Sequence, residues 1–258
     1  MKIENEIVNS SSRYLQRIGL FDALGVTTSI TVTAHEPAGR FVPLKQVRTN
    51  SELNEFILDV GPLLHASADE TKSVKYVLFE LIRNVLEHSG ADGGAYVCAQ
   101  VSGTGRLLLG VADAGRGVKT AMEFSHVVPT HKSAVSLAFQ PGVTGTTRRF
   151  GGNETNGGAG LFFMKSMAVL ARHHMVMVTG DMLMKLLTSR TRTVNPRLDQ
   201  DRVKWVQFDH EFPGTAVGID LTVDKGVGFE ELLSDIRTAY GLNVRASKKA
   251  RYKARFSN

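Results

Sequence analysis

Lys75-Tyr-Val-Leu-Phe-Glu80-Leu-Ile-Arg-Asn84-Val-Leu-Glu87-His88 is the stretch on which the reading of this chain turns. At about 100° per residue, Glu80, Asn84, Glu87 and His88 fall within roughly a quarter turn of one another, while Leu78, Leu81, Ile82, Val85 and Leu86 take the opposite side. The spacing predicts an amphipathic helix. Taken alone, its polar side reads as a solvated face laced by an (i, i+4) Arg83–Glu87 pair. Two glycine-rich stretches downstream favour a different role for that face.

Ser89 to Gly94 forms a loop, Ala95 to Ser102 a strand, Gly103-Thr-Gly105 a tight turn and Arg106 to Ala112 a second strand, together a hairpin. It ends in Val111-Ala-Asp113-Ala-Gly115-Arg-Gly117, where a carboxylate at a strand end can accept a hydrogen bond from an exocyclic amine. Gly115 and Gly117 permit close backbone approach by a ligand, although many ordinary turns share this pattern.

Periodicity then weakens from Val118 to Arg149, with a short helix over Ser133 to Phe139. Pro141 to Arg149 and Gly151 to Gly160 are dense in glycine, threonine and arginine, and read as a mobile lid over about 118–157. Thr144 and Thr146 supply hydroxyls suited to polyphosphate, alongside backbone amides and guanidinium groups. A disordered loop has the same composition. A helix from Leu161 to Arg172 follows, so Gly158 and Gly160 lie at its N-terminus, where unpartnered amides and the helix dipole favour an anion.

His173 and His174 read as C-terminal helix residues rather than metal ligands, because no carboxylate or cysteine is spaced to join them. Met175 to Val178 and Gly180 to Leu187 continue as strands, and Thr188 to Arg202 is a polar excursion. Trp205 to Phe212 and Thr215 to Val223 read as two strands joined around Pro213-Gly214, before a helix from Phe229 to Tyr240 and a basic tail. Upstream, residues 1–65 form a small α/β leader: a helix from Ser11 to Gly25, strands over Thr28 to Ala34 and Phe41 to Val47, and a helix capped by Asn50 or Ser51 running to about Leu64. His35-Glu36 superficially suggests a phosphorylatable histidine, but Pro37 and Gly39 oppose the long helix such a site needs.

With 258 residues, 42% of them hydrophobic, the chain can bury a sizeable core. No segment approaches the ~18 apolar residues of a membrane helix, and the opening Met-Lys-Ile-Glu-Asn-Glu lacks the apolar core of a signal peptide, so no membrane span and a cytoplasmic location are expected. The single cysteine, Cys98, excludes an internal disulfide and a zinc site built on cysteines. Of 31 basic residues, seven (Arg237, Arg245, Lys248, Lys249, Arg251, Lys253 and Arg255) fall after Asp235 with no acid among them, leaving 24 against 25 acidic. The +6 charge therefore belongs to the tail, which reads first as solvated and only secondarily as a contact for nucleic acid, a membrane surface or an acidic partner.

A helix with Glu-x-x-x-Asn-x-x-x-His, a strand ending in Asp-x-Gly-x-Gly, a glycine-rich lid, Gly-x-Gly at a helix start and closing antiparallel strands together resemble the nucleotide-binding fold of the GHKL superfamily. Its members include histidine kinases, anti-sigma-factor serine kinases, DNA gyrase B, MutL and the ninety-kilodalton heat-shock chaperone. The likeness covers about Ala66 to Val223. It implies an α+β fold, a two-layer α/β sandwich with a mostly antiparallel sheet covered by helices, over residues 66–224, with 225–258 as C-terminal helix and basic tail. By resemblance Asn84 would ligate Mg²⁺ bridging the phosphates of ATP, His88 would orient phosphate, and Asp113 would recognise the adenine amine. Gly115 and Gly117 would admit the nucleotide, Gly158, Gly160 and Leu161 would frame its phosphates, and Thr215 would help hold adenine. Glu80 matches the acid that activates water in the hydrolysing members.

This sequence departs from that pattern in three ways. It has no Walker lysine motif, its second glycine box reads Gly-Gly-Ala-Gly-Leu, and its lid carries no phenylalanine box, which argues against a standard histidine kinase. Asn84-Val-Leu-Glu-His88-Ser is closer to the anti-sigma type, so the resemblance implies a regulatory ATP-dependent kinase acting on a partner protein. An ATPase-driven switch and a non-catalytic ATP-sensing module are the alternatives, and homodimerisation stays open.

Overall fold

The computed structural model describes residues 8–32, 40–64, 71–145, 159–188, 193–221 and 229–256. Within them the elements run α1 (Ser10–Arg17), α2 (Leu20–Ala23), β1 (Phe41–Val47), α3 (Asn50–Val60), α4 (Lys72–Asn84), β2 (Ala95–Val101), β3 (Leu107–Asp113), α5 (Gly117–Glu123), α6 (His131–Ala138), α7 (Gly160–Leu170), β4 (His174–Leu186), β5 (Val203–Leu221) and α8 (Phe229–Phe256). The strands form one antiparallel sheet in the order β1-β2-β3-β5-β4. The protein is thus α+β, a sheet with helices packed on it.

Alternation decides which side of the sheet is covered. Ala95, Val97 and Ala99 of β2, Leu107, Leu109 and Val111 of β3, Met175 and Met177 of β4, and Val217, Ile219 and Leu221 of β5 are all buried in one cluster. Against them pack Leu53, Phe56 and Val60 of α3, Val77, Leu78, Leu81 and Ile82 of α4, and Leu232, Leu233 and Ile236 of α8. Residues Phe162 to Leu170 of α7 are buried without interruption, so this helix is enclosed on every side. Each large apolar side chain buried in this way stabilises the fold by about 1.5–3 kcal/mol. The methionines fill this core, as their place in the strand pattern predicts.

The predicted polar helix is observed, with its apolar side in the core, but it changes character at its end. After Asn84 the chain widens into a π turn over Val85–Ser89 and stops at Gly90, which has φ 64°. The Arg83–Glu87 pair is formed at 2.5 Å. The β2–β3 hairpin also forms as read. β1 pairs with β2, and α3 lies in the main cluster, so this part of the leader belongs to the same sheet and core.

Several local readings are corrected. The first helix breaks in two at Gly19, whose φ is 83°. Thr28 to Val32 lies outside the sheet, because the Thr28 hydroxyl donates to Gln16 Oε1 and accepts from the Ile30 amide, tying the segment to α1; Thr33 and Ala34 lie outside the described residues. Thr49, rather than Asn50 or Ser51, caps α3 in a reciprocal box with Glu52. The first part of the predicted lid is built structure: α5 and α6 enclose a small core of Met122, Val128, Ala134, Ala138 and Val143. Residues 146–158 lie outside the described residues.

Pro213-Gly214 does not turn the chain. β5 runs unbroken through it as an irregularity: Thr179 pairs with Thr215, while the next residue of β4, Gly180, pairs with Phe212. Beyond that point β4 and β5 continue together as a ribbon past the end of β3 at Asp113. The polar excursion before β5 is pinned to the core through a fully buried Lys165 on α7, which donates to Asp201 Oδ2 at 2.7 Å and to the Asn195 carbonyl. The final helix does not end at Tyr240 but continues to Phe256, taking the basic tail with it. Among the described residues no helix is long and apolar enough to cross a membrane.

Candidate functional site

A cavity of about 590 Å³ opens between the polar face of α4, the end of β3, the middle of β5, the α5–α6 unit and the start of α7. Glu80, Asn84, His88, Asp113, Gly117, Thr144, Gly160, Leu161 and Thr215 all line it, although they are spread over more than half of the chain. Gly115 does not line it and instead packs against Ser89. Thr146 and Gly158 lie outside the described residues.

One end of the cavity is organised by Asp113, which is 5% exposed and pairs with Thr215 across β3 and β5. Its Oδ1 accepts from the Gly115 amide at 2.8 Å. Burial pushes its carboxyl up, while hydrogen bonds from the Gly115 and Thr215 backbones oppose that rise. The glycines around it are close-contact positions. A Cβ on Gly115 would stand 2.3 Å from the Ser89 carbonyl oxygen, and one on Gly214, where φ is 85°, would stand 2.1 Å from the Asp113 carbonyl oxygen. Thr179, buried on β4, locks the arrangement: its hydroxyl donates to the Gly214 carbonyl at 2.9 Å and accepts from the Val118 amide at 3.1 Å. One hydroxyl thereby joins the β5 irregularity to the first turn of α5.

The other end is polar and tight. A Cβ on Gly160 would stand 2.5 Å from Glu80 Oε2 and 3.4 Å from Asn84 Nδ2, so the start of α7 lies directly on these two side chains. Asn84 Nδ2 is buried without a hydrogen-bond partner. A buried amide left unpaired costs about 1–3 kcal/mol, and a half-turn about χ2 exchanges its nitrogen for its oxygen. Burial raises the Glu80 carboxyl, partly offset by Arg83 and reinforced by Glu87. Burial also depresses His88, favouring the neutral imidazole at pH 7, against the opposing influence of Glu87.

This donor set suits a cation that arrives with its own ligands. Among the described residues, no three His, Cys, Asp or Glu side chains are grouped to hold a metal by themselves. Asn84 can offer one amide oxygen, and Mg²⁺ characteristically takes few protein ligands and completes its shell with phosphate oxygens and water. The residues present therefore fit a magnesium–polyphosphate complex better than a free metal site.

Sequence reasoning missed part of the wall. Arg116 donates from its backbone amide and its Nε to the Ser89 carbonyl, 2.9 and 3.2 Å away, a carbonyl near the end of the π turn. Its guanidinium packs over the Phe124 ring at 5.2 Å, and both residues line the cavity. Met122, Val118 and Val143 complete an apolar side. The Thr144 and Gly145 carbonyls are held by the Ser125 hydroxyl at 3.1 and 3.0 Å, and His126 Nε2 also meets the Thr144 carbonyl. In the sequence only the arginine inside Asp-x-Gly-x-Gly could have drawn attention.

Comparison with models of known protein families and with curated proteins gives no match.

Proposed function

We propose that the chain is a magnesium-dependent ATP-binding protein of the GHKL type, and that its cavity serves phosphoryl transfer to a partner protein. One observation carries this reading. Glu80, Asn84, His88, Asp113, Gly117, Thr144, Gly160, Leu161 and Thr215 line a single cavity with a buried carboxylate at one end and the start of a helix at the other. Asp113 is an acceptor matched to the exocyclic amine of adenine, between apolar walls supplied by Val111, Met122, Val143 and Met177. The start of α7 lies against the Glu80–Asn84 end, and the free amides of a helix's first turn suit phosphate.

Asn84 would hold the magnesium ion, which when bound would neutralise phosphate charge. Glu80 is the base: its carboxylate, made more basic by burial, takes the proton of the attacking hydroxyl as the new oxygen–phosphorus bond forms and the bond from the γ-phosphorus to the β–γ bridging oxygen breaks, releasing ADP. Hydrolysis, with water as the attacking group, is the second reading, and the partly buried position of Glu80 favours it. Purely sensory ATP binding is the remaining case.

A titration with Mg-ATP tests the site. Asp113→Asn should weaken binding at least tenfold, and omission of Mg²⁺ should weaken the wild type; unchanged affinity in Asp113→Asn overturns the adenine assignment. Incubation with γ-labelled ATP and candidate partners then separates the readings, since label on a protein, free phosphate or neither corresponds to kinase, ATPase or sensor.

A further inference from the structure

The phosphate end of the cavity holds an ion pair that the proposed chemistry does not use. Arg83 and Glu87 both line the cavity, and Arg83 Nε donates to Glu87 Oε1 at 2.5 Å. The guanidinium also lies 5.9 Å from the centre of the Phe79 ring, so it is held from two sides. The two side chains stay 37% and 35% exposed, and a pair this open adds little to stability. Nor does the helix depend on it, because Val74, Val77, Leu78, Leu81 and Ile82 anchor α4 in the core.

Charge along the wall gives the pair another meaning. Among the described residues the lining carries three carboxylates, Glu80, Glu87 and Asp113, against two guanidinium groups, Arg83 and Arg116. Asp113 belongs to the opposite end, and Arg116 is turned to the Ser89 carbonyl and the Phe124 ring. The face of α4 that would meet a terminal phosphate therefore sets Glu80 and Glu87 against one cation, Arg83. Burial raises the Glu80 carboxyl and Arg83 draws it back down, so the guanidinium already acts across this face. A polyphosphate arriving beside two carboxylates is repelled unless that cation turns to it. The planar fork of a guanidinium can exchange one oxyanion for another, and a phosphate offers it two oxygens. Glu87 is not stranded by the exchange: its Oε2 stands 3.8 Å from His88 Nε2, and a neutral imidazole protonated there can donate to it.

We propose that Arg83 determines specificity for the terminal phosphate, held by Glu87 until a nucleoside triphosphate binds and then transferred from that carboxylate to the γ-phosphate. A diphosphate lacks the group and leaves the Arg83–Glu87 pair intact. This rests on the nucleotide reading above and adds to it a preference for triphosphate over diphosphate that originates on α4.

Isothermal titration of the full chain with Mg²⁺ and either ADP or the non-hydrolysable imido analogue of ATP tests this, because it reads affinity without turnover. Wild type should bind the analogue more tightly than ADP. Arg83→Gln should lose about tenfold in affinity for the analogue, as expected for a lost charged hydrogen bond, and stay within about twofold for ADP. Arg83→Lys, which keeps the charge and loses the fork, should recover part of that loss. Glu87→Gln removes the competing carboxylate and should tighten the analogue several-fold relative to ADP, a gain that shrinks when Arg83→Gln is also present. Glutamine and lysine are good helix formers, so circular dichroism should match wild type. If Arg83→Gln does not fold, Glu87→Gln alone decides, by whether the analogue tightens relative to ADP. A loss shared equally by both nucleotides, no loss in Arg83→Gln, or a triphosphate preference abolished by Arg116→Gln instead would overturn the proposal and leave the nucleotide site in place. Failure of wild type to bind either nucleotide would overturn the nucleotide reading and the proposal together.

Discussion

Gly160 and Glu80 compete for the same space: a methyl group on Gly160 would lie 2.5 Å from Glu80 Oε2. The first residue of α7 is thus fitted to a side chain on α4, and the absence of a Cβ there allows the carboxylate and Asn84 to reach the helix start. The obstructing atom is the end of a flexible side chain, which can swing away. Gly160→Ala should therefore displace Glu80 rather than break the fold. Turnover of ATP, as transfer or phosphate release, is expected to fall at least tenfold. The unfolding free energy should stay within about 1 kcal/mol of wild type, since alanine favours the helix by a similar amount. Unchanged turnover would show that this contact plays no part in the chemistry.

Gly214 presents the opposite case. Its φ of 85° disfavours any side chain, and a Cβ would stand 2.1 Å from the Asp113 carbonyl oxygen, which is backbone inside a paired strand and cannot swing aside. Gly214→Ala should destabilise the protein by roughly 2–4 kcal/mol, the range of substitutions that force a backbone shift. It should also disturb the hydrogen bond that the Thr179 hydroxyl donates to the Gly214 carbonyl. Urea unfolding of the variant checks the first effect. A midpoint equal to wild type would mean that the β5 irregularity is not rigid.

These two glycines also mark what the sequence did and did not disclose. The position of Gly160 was legible because a glycine run meets the start of a strongly apolar helix, and the Glu80–Asn84–His88 face was legible from spacing alone. Gly214 was misread. Pro-Gly is a strong local turn signal, and only the partner strand shows that it lies within β5, where pairing with β4 on both sides overrides the local preference. Thr179 left no trace either, because one threonine in a strand looks like any other until its hydroxyl is seen between α5 and β5. Of the α5–α6 unit only the second helix was read, over Ser133 to Phe139; α5 stayed hidden in the supposed lid because it is short, and the small core forms only when Met122, Ala134 and Val143 meet. The helical continuation beyond Tyr240 escaped notice because apolar residues there are too few to set a helical period.

Glu80 links stability to pH in a direction that can be worked out. Burial raises its carboxyl above the ordinary value of 4.5, so the folded state holds the proton more tightly than the unfolded state does. The contribution of this group is fully present below about pH 4.5 and is lost as pH rises through the elevated folded value. Glu80→Gln removes the titration while keeping the shape. Its unfolding free energy should gain on wild type as pH rises from about 4.5 and level off once wild-type Glu80 is ionised. The same substitution should lower transfer or hydrolysis at least a hundredfold, as expected for removal of a general base, with Mg-ATP binding retained. Urea denaturation of both proteins across this range, paired with turnover at pH 7, provides the check. A stability difference that does not vary with pH would mean that the carboxyl is ionised in the fold at no cost, and retained turnover would assign the base to another residue.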